Sequence, residues 1–330
     1  IHVSTRGRAG STLLDATGEL MDALGYVVEN QWLGRVLQDQ LSQHRNIEWC
    51  APASVRGMSI DADGRRRIEL ETSSQRLIGA RAPLVELLVI ADGANSELAR
   101  SLGIAYRETD YAHSAVIANV LTGKAHSGRA FERFTDQGPV ALLPLRPVQG
   151  GSRSALVWTL PTAMAQIMLQ MDDEAFLEQL QERFGYRLGA IERVGERFGY
   201  PLKLVEAVEQ VRSGVVLMGN AAHSLHPVAG QGFNLALRDV AHLVQVLAEA
   251  RPGDRNFGEL TVLERYVQGQ HPDLRRTTLF SDRVSEVFSL NQPLVAVARD
   301  LGLAALDVVT PVKSWFVRQA TGLTGSAVRW

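Results

Sequence analysis

Residues 214–250, GVVLMGNAAHSLHPVAGQGFNLALRDVAHLVQVLAEA, read as strand, long turn and helix. Val215 to Met218 is a short apolar β-rich run. From Phe233 onward apolar residues recur at 233, 236, 237, 240, 244, 247 and 248, which is the 3.6-residue period of a helix. Between the two stand Pro227 and the closely spaced glycines Gly230 and Gly232, which can take backbone angles other residues resist. Glycines just before a helix leave its first N–H groups and its positive dipole end open to an anionic or electron-rich ligand. The stretch therefore predicts a strand-turn-helix unit of an α/β domain with a ligand cradle at the helix start.

Two other readings of the same residues fall away. Gly230-Gln231-Gly232 followed by Ala236 imitates a dinucleotide fingerprint, but that fingerprint sits immediately after its strand, and here the strand ends at Met218. His223 and His226 are metal-ligand types, yet no cysteine or carboxylate cluster completes a shell around them in the sequence.

The remainder of the chain is consistent with an α/β protein carrying additional antiparallel sheet. Its 330 residues are 45% apolar and 21% charged, an ordinary globular composition long enough for two domains, and the net charge of -2 offers no basic surface for nucleic acid. The single cysteine, Cys50, excludes an intrachain disulfide and reads as a packed strand residue in a cytoplasmic, reducing setting. Residues 31–41 form an amphipathic helix with Arg35 beside its apolar face. Strands are expected at 47–55, 66–72 and 84–90, with Asp63-Gly64 as a hairpin turn. The third leads into Ala91-Asp92-Gly93, at the carboxyl end of a buried strand, where ligands of open α/β sheets gather. From 112 to 160, short β-rich segments separated by glycine turns predict an antiparallel sheet, in which Phe131, Phe134, Leu143 and Pro144 are either core or pocket lining. Helices are expected at 172–184, 260–270 and 274–290, and amphipathic helices in the last forty residues, which either pack on the body or rest on a membrane surface.

GNAAHSLHPVAGQGFNLALRD resembles the C-terminal flavin motif of the FAD-dependent aromatic hydroxylases related to p-hydroxybenzoate hydroxylase. GNAAH, where most relatives have Gly-Asp, is similar to the ubiquinone-biosynthesis branch. VIANVLTGKAHSGRAFERFTDQGPVALLPL, residues 116–145, is similar to the 2-polyprenyl-6-methoxyphenol hydroxylases within it. The resemblance covers nearly the whole chain. It implies a p-hydroxybenzoate hydroxylase-like FAD-binding α/β domain at 1–111 and 205–290, an antiparallel-sheet substrate domain at 112–204 and a C-terminal helical region at 291–330. The family's N-terminal G-x-G-x-x-G unit is not found after Ile1, so the chain is expected to be a fragment that holds FAD poorly by itself, while the full-length protein holds it.

The same resemblance assigns roles. Arg35 is implied to reach FAD from its helix, and Asp92 and Gly93 to shape the flavin site and its approach by the nicotinamide reductant. Asn220 is implied to contact the ribityl chain, Pro227 to lie against the isoalloxazine, Gly230 and Gln231 to take part in holding the cofactor, and the backbone around Gly232, Phe233 and Asn234 to meet its pyrimidine edge. The implied reaction is monooxygenation of a polyprenyl-phenol, with NAD(P)H reducing FAD and O2 captured as a flavin C4a-hydroperoxide; no catalytic base is assignable from the residues. Hydroxylation at another ring position of the pathway and a non-catalytic scaffold role in a biosynthetic complex remain alternatives. A peripheral membrane location and homo-oligomerisation are left open.

Overall fold

The computed structural model describes residues 1–289 except 9–10, 20, 63–64, 73–75, 78–81, 149–150, 225–229 and 251–256, and beyond them residues 313, 314 and 317. The amphipathic helices expected in the last forty residues, Asp63-Gly64 and Pro227 thus lie outside the described residues, apart from those three positions.

In chain order the elements are β1 (His2–Thr5), β2 (Ser11–Leu13), α1 (Asn30–Leu41), β3 (Ala53–Ile60), β4 (Arg66–Thr72), β5 (Arg76–Leu77), β6 (Leu84–Val85), β7 (Leu88–Ile90) and α2 (Glu97–Ser101). They continue with β8 (Tyr106–Thr122), β9 (Phe131–Thr135), β10 (Gly138–Pro144), β11 (Ser152–Pro161), α3 (Thr162–Gln170), α4 (Asp173–Phe184), β12 (Ile191–Val194) and β13 (Phe198–Ala207). The last are β14 (Val211–Arg212), β15 (Val215–Leu217), β16 (His223–Ser224), α5 (Gln231–Glu249) and α6 (Leu260–Ser289). The chain divides into two compact units, one built mainly from 1–28 and 110–202, the other from 29–109 and 203–279.

In the first unit the strands run in the order β8-β11-β10-β9-β1-β2, antiparallel except for the parallel pair of β1 with β9, and β12 pairs with β8. Alternate residues of a strand face opposite sides of its sheet. Val116, Ala118, Val120, Phe131, Leu142, Leu156 and Trp158 all fall on one side, where α3 and α4 cover them with Ala165, Met168, Phe176, Leu180 and Phe184. Trp158 meets Phe176 and Phe131 meets Phe184 as tilted or edge-on ring pairs at centroid distances of 5.7 and 6.1 Å. Helix α4 starts as its sequence requires, with the Asp172 carboxylate accepting the Ala175 N–H at 2.9 Å. The preceding α3 was not expected from the sequence, because its Thr162-Ala-Met-Ala-Gln start follows β11 with only Pro161 as punctuation.

In the second unit β15 pairs in parallel with β7 and antiparallel with β14. Val215 and Leu217 enter a core with Leu88, Ile90, Leu98 and Ile104, while Val216 and Met218 enter another with Leu243, Val246, Leu263 and Tyr266. A strand buried on both sides reads as the unbroken apolar run seen in the sequence. The β3–β4 hairpin pairs Ile60 with Arg66 across the expected turn.

Three expectations are corrected. The strand expected at 47–55 begins at Ala53 and runs to Ile60, because Pro52 has no N–H to give a ladder; Cys50, ahead of it, is exposed and not a packed strand residue. The run expected as one strand at 84–90 is two short strands, β6 and β7, pairing with different partners. Helices expected at 260–270 and 274–290 form one helix with Pro272 inside it. The buried stripe Val262, Tyr266, Gln270, Leu274 and Thr277 stays in phase across the proline, so packing on one face outweighs the lost helical hydrogen bond.

Candidate functional site

The strands β7 and β15 end side by side, with the Met218 N–H donating to the Ile90 carbonyl at 2.9 Å. Each then turns through a glycine in a backbone region that favours glycine: Gly93 at φ 102° and Gly219 at φ 54°. Asp92 accepts the Ser96 hydroxyl at 2.9 Å, and that hydroxyl in turn accepts the Ala99 N–H at 3.0 Å to cap α2. Tyr106 donates to the Ala221 carbonyl at 3.0 Å and so holds the second turn. Burial, and then the Asp92 charge, push the Tyr106 hydroxyl pKa up, which keeps it a donor.

Opposite these turns α5 begins. Gly230 takes the N-cap position at φ 61°, a left-handed conformation, and the N–H groups of the first turn have no partner inside the helix. A cleft of about 900 Å³ opens here, lined by Val89, Ala91 and Gly93 from β7 and its turn, by Met218, Gly219 and Asn220, by Ser224, and by Gly230, Gly232, Phe233, Ala236, Val240, Leu243, Val244 and Leu247 of α5 and its cap. Gly232 lies inside the helix without a positive φ, and a Cβ there would meet nothing within 4 Å. Neither conformation nor neighbouring protein atoms require glycine there. A glycine in a helix costs about 1 kcal/mol relative to alanine, so what it provides is open space at the helix start.

Helix α5 is apolar on two sides. The face counted from the sequence, with Phe233, Leu237, Val240 and Val244, is about half exposed, and three of those four residues line the cleft. The buried face is Leu235, Asp239, Leu243 and Val246. Asp239 is 1% exposed, and its carboxylate lies 3.0 Å from Nε2 of His223. The Gln270 carboxamide of α6 lies 2.7 Å from the same nitrogen. The group at that distance is the amide nitrogen of Gln270, so the ring nitrogen donates to Asp239 in one tautomer and accepts from Gln270 in the other. Arg238 adds an ion pair to Asp273 at 2.6 Å. Residues on β16, α5 and α6 are thereby tied together. His223 is thus engaged by a carboxylate and an amide; His226 lies outside the described residues.

The structure brings Gly93, Asn220, Gly230, Gly232 and Phe233 to one cleft. Asp92 stands next to it in the capping turn of α2, Gln231 is buried at the helix start, and Asn234 is exposed on the first turn of α5. Arg35 is exposed on α1, a helix with no buried residue, and is not part of the cleft lining. In the first unit Phe131 belongs to the helix-covered core against Phe184, Phe134 packs with Val3 and Leu14, and Leu143 and Pro144 are half-buried near the end of β10. Sequence reasoning missed Tyr106, Asp239 and Gln270. The signal for Asp239 was present, since a lone carboxylate falls in phase with Leu235, Leu243 and Val246.

A family model described as FAD binding domain matches residues 34–280. The ubiquinone hydroxylase UbiL of Rhodospirillum rubrum is 35% identical over 93% of this chain and 69% of its own length. The 3-demethoxyubiquinol 3-hydroxylase of Escherichia coli is 30% identical over 94% of this chain and 76% of its own. Among solved structures, p-nitrophenol 4-monooxygenase PnpA of Pseudomonas putida superposes with a TM-score of 0.76 over 99% of this chain and 82% of that one, at 17% identity, a likeness of fold.

Proposed function

Because the chain belongs to the FAD-dependent monooxygenases that include the ubiquinone hydroxylases, we propose that it hydroxylates the ring of a polyprenyl-methoxyphenol, using O2 and a nicotinamide reductant, and that the cleft at the start of α5 holds the flavin. The observation that carries the placement is Gly232, a helical glycine whose missing Cβ leaves open space on a cleft wall. When bound, the flavin supplies the redox chemistry and the activated oxygen. The protein binds, orients and excludes water. First-turn N–H groups at Gly232, Phe233 and Asn234 suit an electron-rich ring edge, and the dipole of α5 favours negative charge there. Asn220, on the turn after β15, is placed to offer an amide to a hydroxylated chain. Phe233, Val240 and Val244 give an apolar wall to a flat ring system.

A second reading, hydroxylation at a different ring position, is favoured by the likeness to the 3-demethoxyubiquinol 3-hydroxylase. Mass and NMR analysis of the product formed by the full-length protein from a prenylated methoxyphenol separates the two. The cleft assignment is tested by Gly232→Val, which is expected to abolish flavin retention and hydroxylation; unchanged hydroxylation refutes it.

A further inference from the structure

The C-terminal end of α4, in the first unit, gathers more positive charge than negative. Phe131 and Arg133 share the helix-covered side of β9, since alternate strand residues face one way and Phe131 meets Phe184. Arg133 thereby reaches Gly185, the residue that ends α4 at φ 83°; a Cβ there would stand 3.1 Å from its Nη1. Two residues further on, Arg187 donates to Nε2 of His2 at 2.9 Å. A guanidinium only donates, so His2 accepts as a neutral ring; burial first, and then Arg187, hold its pKa below the ordinary value. Arg6, just past β1, donates to Glu182 at 2.7 Å and to Asp136 at 3.4 Å, and Arg183 donates to the same Glu182 oxygen at 3.1 Å.

The charges of this cluster do not balance. Glu182 and Asp136 are taken up by Arg6 and Arg183. Among the described residues no hydrogen bond or ion pair engages Arg133, and its Nε is buried without a partner. Arg187 has only the uncharged ring of His2. Burial, then the charges of Arg187 and Arg6, pull the Arg133 pKa down from its ordinary value. An arginine stays charged in a protein, so Arg133 is a partly desolvated cation beside like charges. The end of α4 offsets little of this, because a helix C-terminus carries only about half a negative charge. Arg187 is exposed and Arg133 is half-buried, which leaves the pair open to a small ion.

We propose that Arg133 and Arg187 bind a phosphate group bearing two negative charges, with Arg133 at its base beside Gly185 and Arg187 at its mouth. A dianion matches the two guanidiniums that lack a counter-charge, and their planar N–H forks fit the oxygens of a tetrahedral oxyanion. Neutral His2 steadies Arg187 without adding a charge of its own. The phosphate belongs either to a soluble molecule or to a lipid headgroup that ends in a phosphomonoester, and the same two residues hold it in both cases. Every residue of the site lies in the first unit, and the proposal does not rest on the flavin reading.

The test uses the full-length protein with its flavin, in buffer free of phosphate and sulfate at about 50 mM salt, where surface charges are only partly screened. Inorganic phosphate is titrated calorimetrically into wild type, Arg133→Gln, Arg187→Gln and, as a control on an exposed ion pair of the second unit, Arg56→Gln. Wild type is expected to bind phosphate saturably, and each of the first two variants to bind roughly tenfold or more weakly, with Arg56→Gln unchanged. Phosphate should raise the melting temperature of wild type and not that of Arg133→Gln. Without phosphate, Arg133→Gln should melt no lower than wild type, because a cation without a counter-charge has been removed. Wild type that binds no phosphate overturns the proposal, as do Arg133→Gln and Arg187→Gln that bind it like wild type. An Arg133→Gln that melts well below wild type in phosphate-free buffer, or does not fold, also overturns it, since the guanidinium then has an internal partner. Flotation with phosphatidylcholine vesicles, with and without about a third phosphatidic acid, separates the two sources. Retention that needs the phosphatidic acid and Arg133 assigns the headgroup; phosphate binding without retention assigns a soluble phosphate.

Discussion

Asp239 is the residue whose chemistry the surrounding structure is most committed to. It is buried on α5 with His223 from the turn and Gln270 from α6, and removing one partner of such a pair leaves the other without compensation. Asp239→Ala is expected to lower unfolding stability by about 3–5 kcal/mol, read by urea denaturation, and a loss below about 1 kcal/mol contradicts the description. Counting only apolar residues along α5 hid this face, because its stripe is interrupted by a charge, and drew attention to the stripe that lines the cleft. Glu132 was not singled out by sequence reasoning. The alternation in Phe-Glu-Arg-Phe-Thr sets it apart from Phe131, but only the cross-strand register shows that its neighbours are apolar. Burial pushes its pKa up, which has a stability consequence. Between about 4.5 and about 7 the folded protein holds a proton that the unfolded chain has released, so this group makes stability fall as pH rises through that window, by up to ~3 kcal/mol. The stability difference between Glu132→Gln and wild type should therefore grow from pH 4.5 to 7; a difference that stays flat contradicts the account.

At the scale of elements, the two glycines at the start of α5 do different things. Gly230 is held at positive φ, so any side chain there is strained; Gly232 is not. Gly232→Ala is accordingly expected to stabilise the flavin-free protein by about 0.5–1 kcal/mol while weakening flavin binding, and a loss of apo stability contradicts the reading of Gly232 as open space. Helix α6 yields a second prediction. Its buried stripe runs through Pro272 without a phase break, so Pro272→Ala should raise stability by roughly 1–3 kcal/mol; no change would mean the helix is interrupted there. The elements that sequence periodicity identified well, α1, α4, α5, β4 and β8 to β11, are those with a strong period or a cap. The failures have local causes. Pro52 delays β3, two pairing partners split β6 from β7, α3 follows β11 without a polar cap, and packing carries α6 across a proline.

For the molecule as a whole, the turn motifs were more informative than any composition. The cleft collects Gly93, Asn220, Gly230, Gly232 and Phe233, residues spread over two segments far apart in sequence, because β7 and β15 run parallel and end together. The sequence could mark each glycine turn, but the pairing that brings them to one place is a long-range property no local pattern encodes. The match of residues 34–280 to an FAD binding domain, and the relatives of which this chain spans 69% and 76%, agree with the motif reading. Among the described residues no helix is long and apolar enough to cross a membrane. The central claim is that the start of α5 is where the flavin is held, and one measurement addresses it most directly: flavin content and dissociation constant of the full-length protein, by visible absorbance and fluorescence titration, for wild type and Gly232→Val with matched melting curves. The account predicts a flavin-bearing wild type and a folded variant whose affinity is lower by at least ~100-fold, equivalent to about 2.7 kcal/mol. A folded Gly232→Val that retains flavin as tightly as wild type would contradict it.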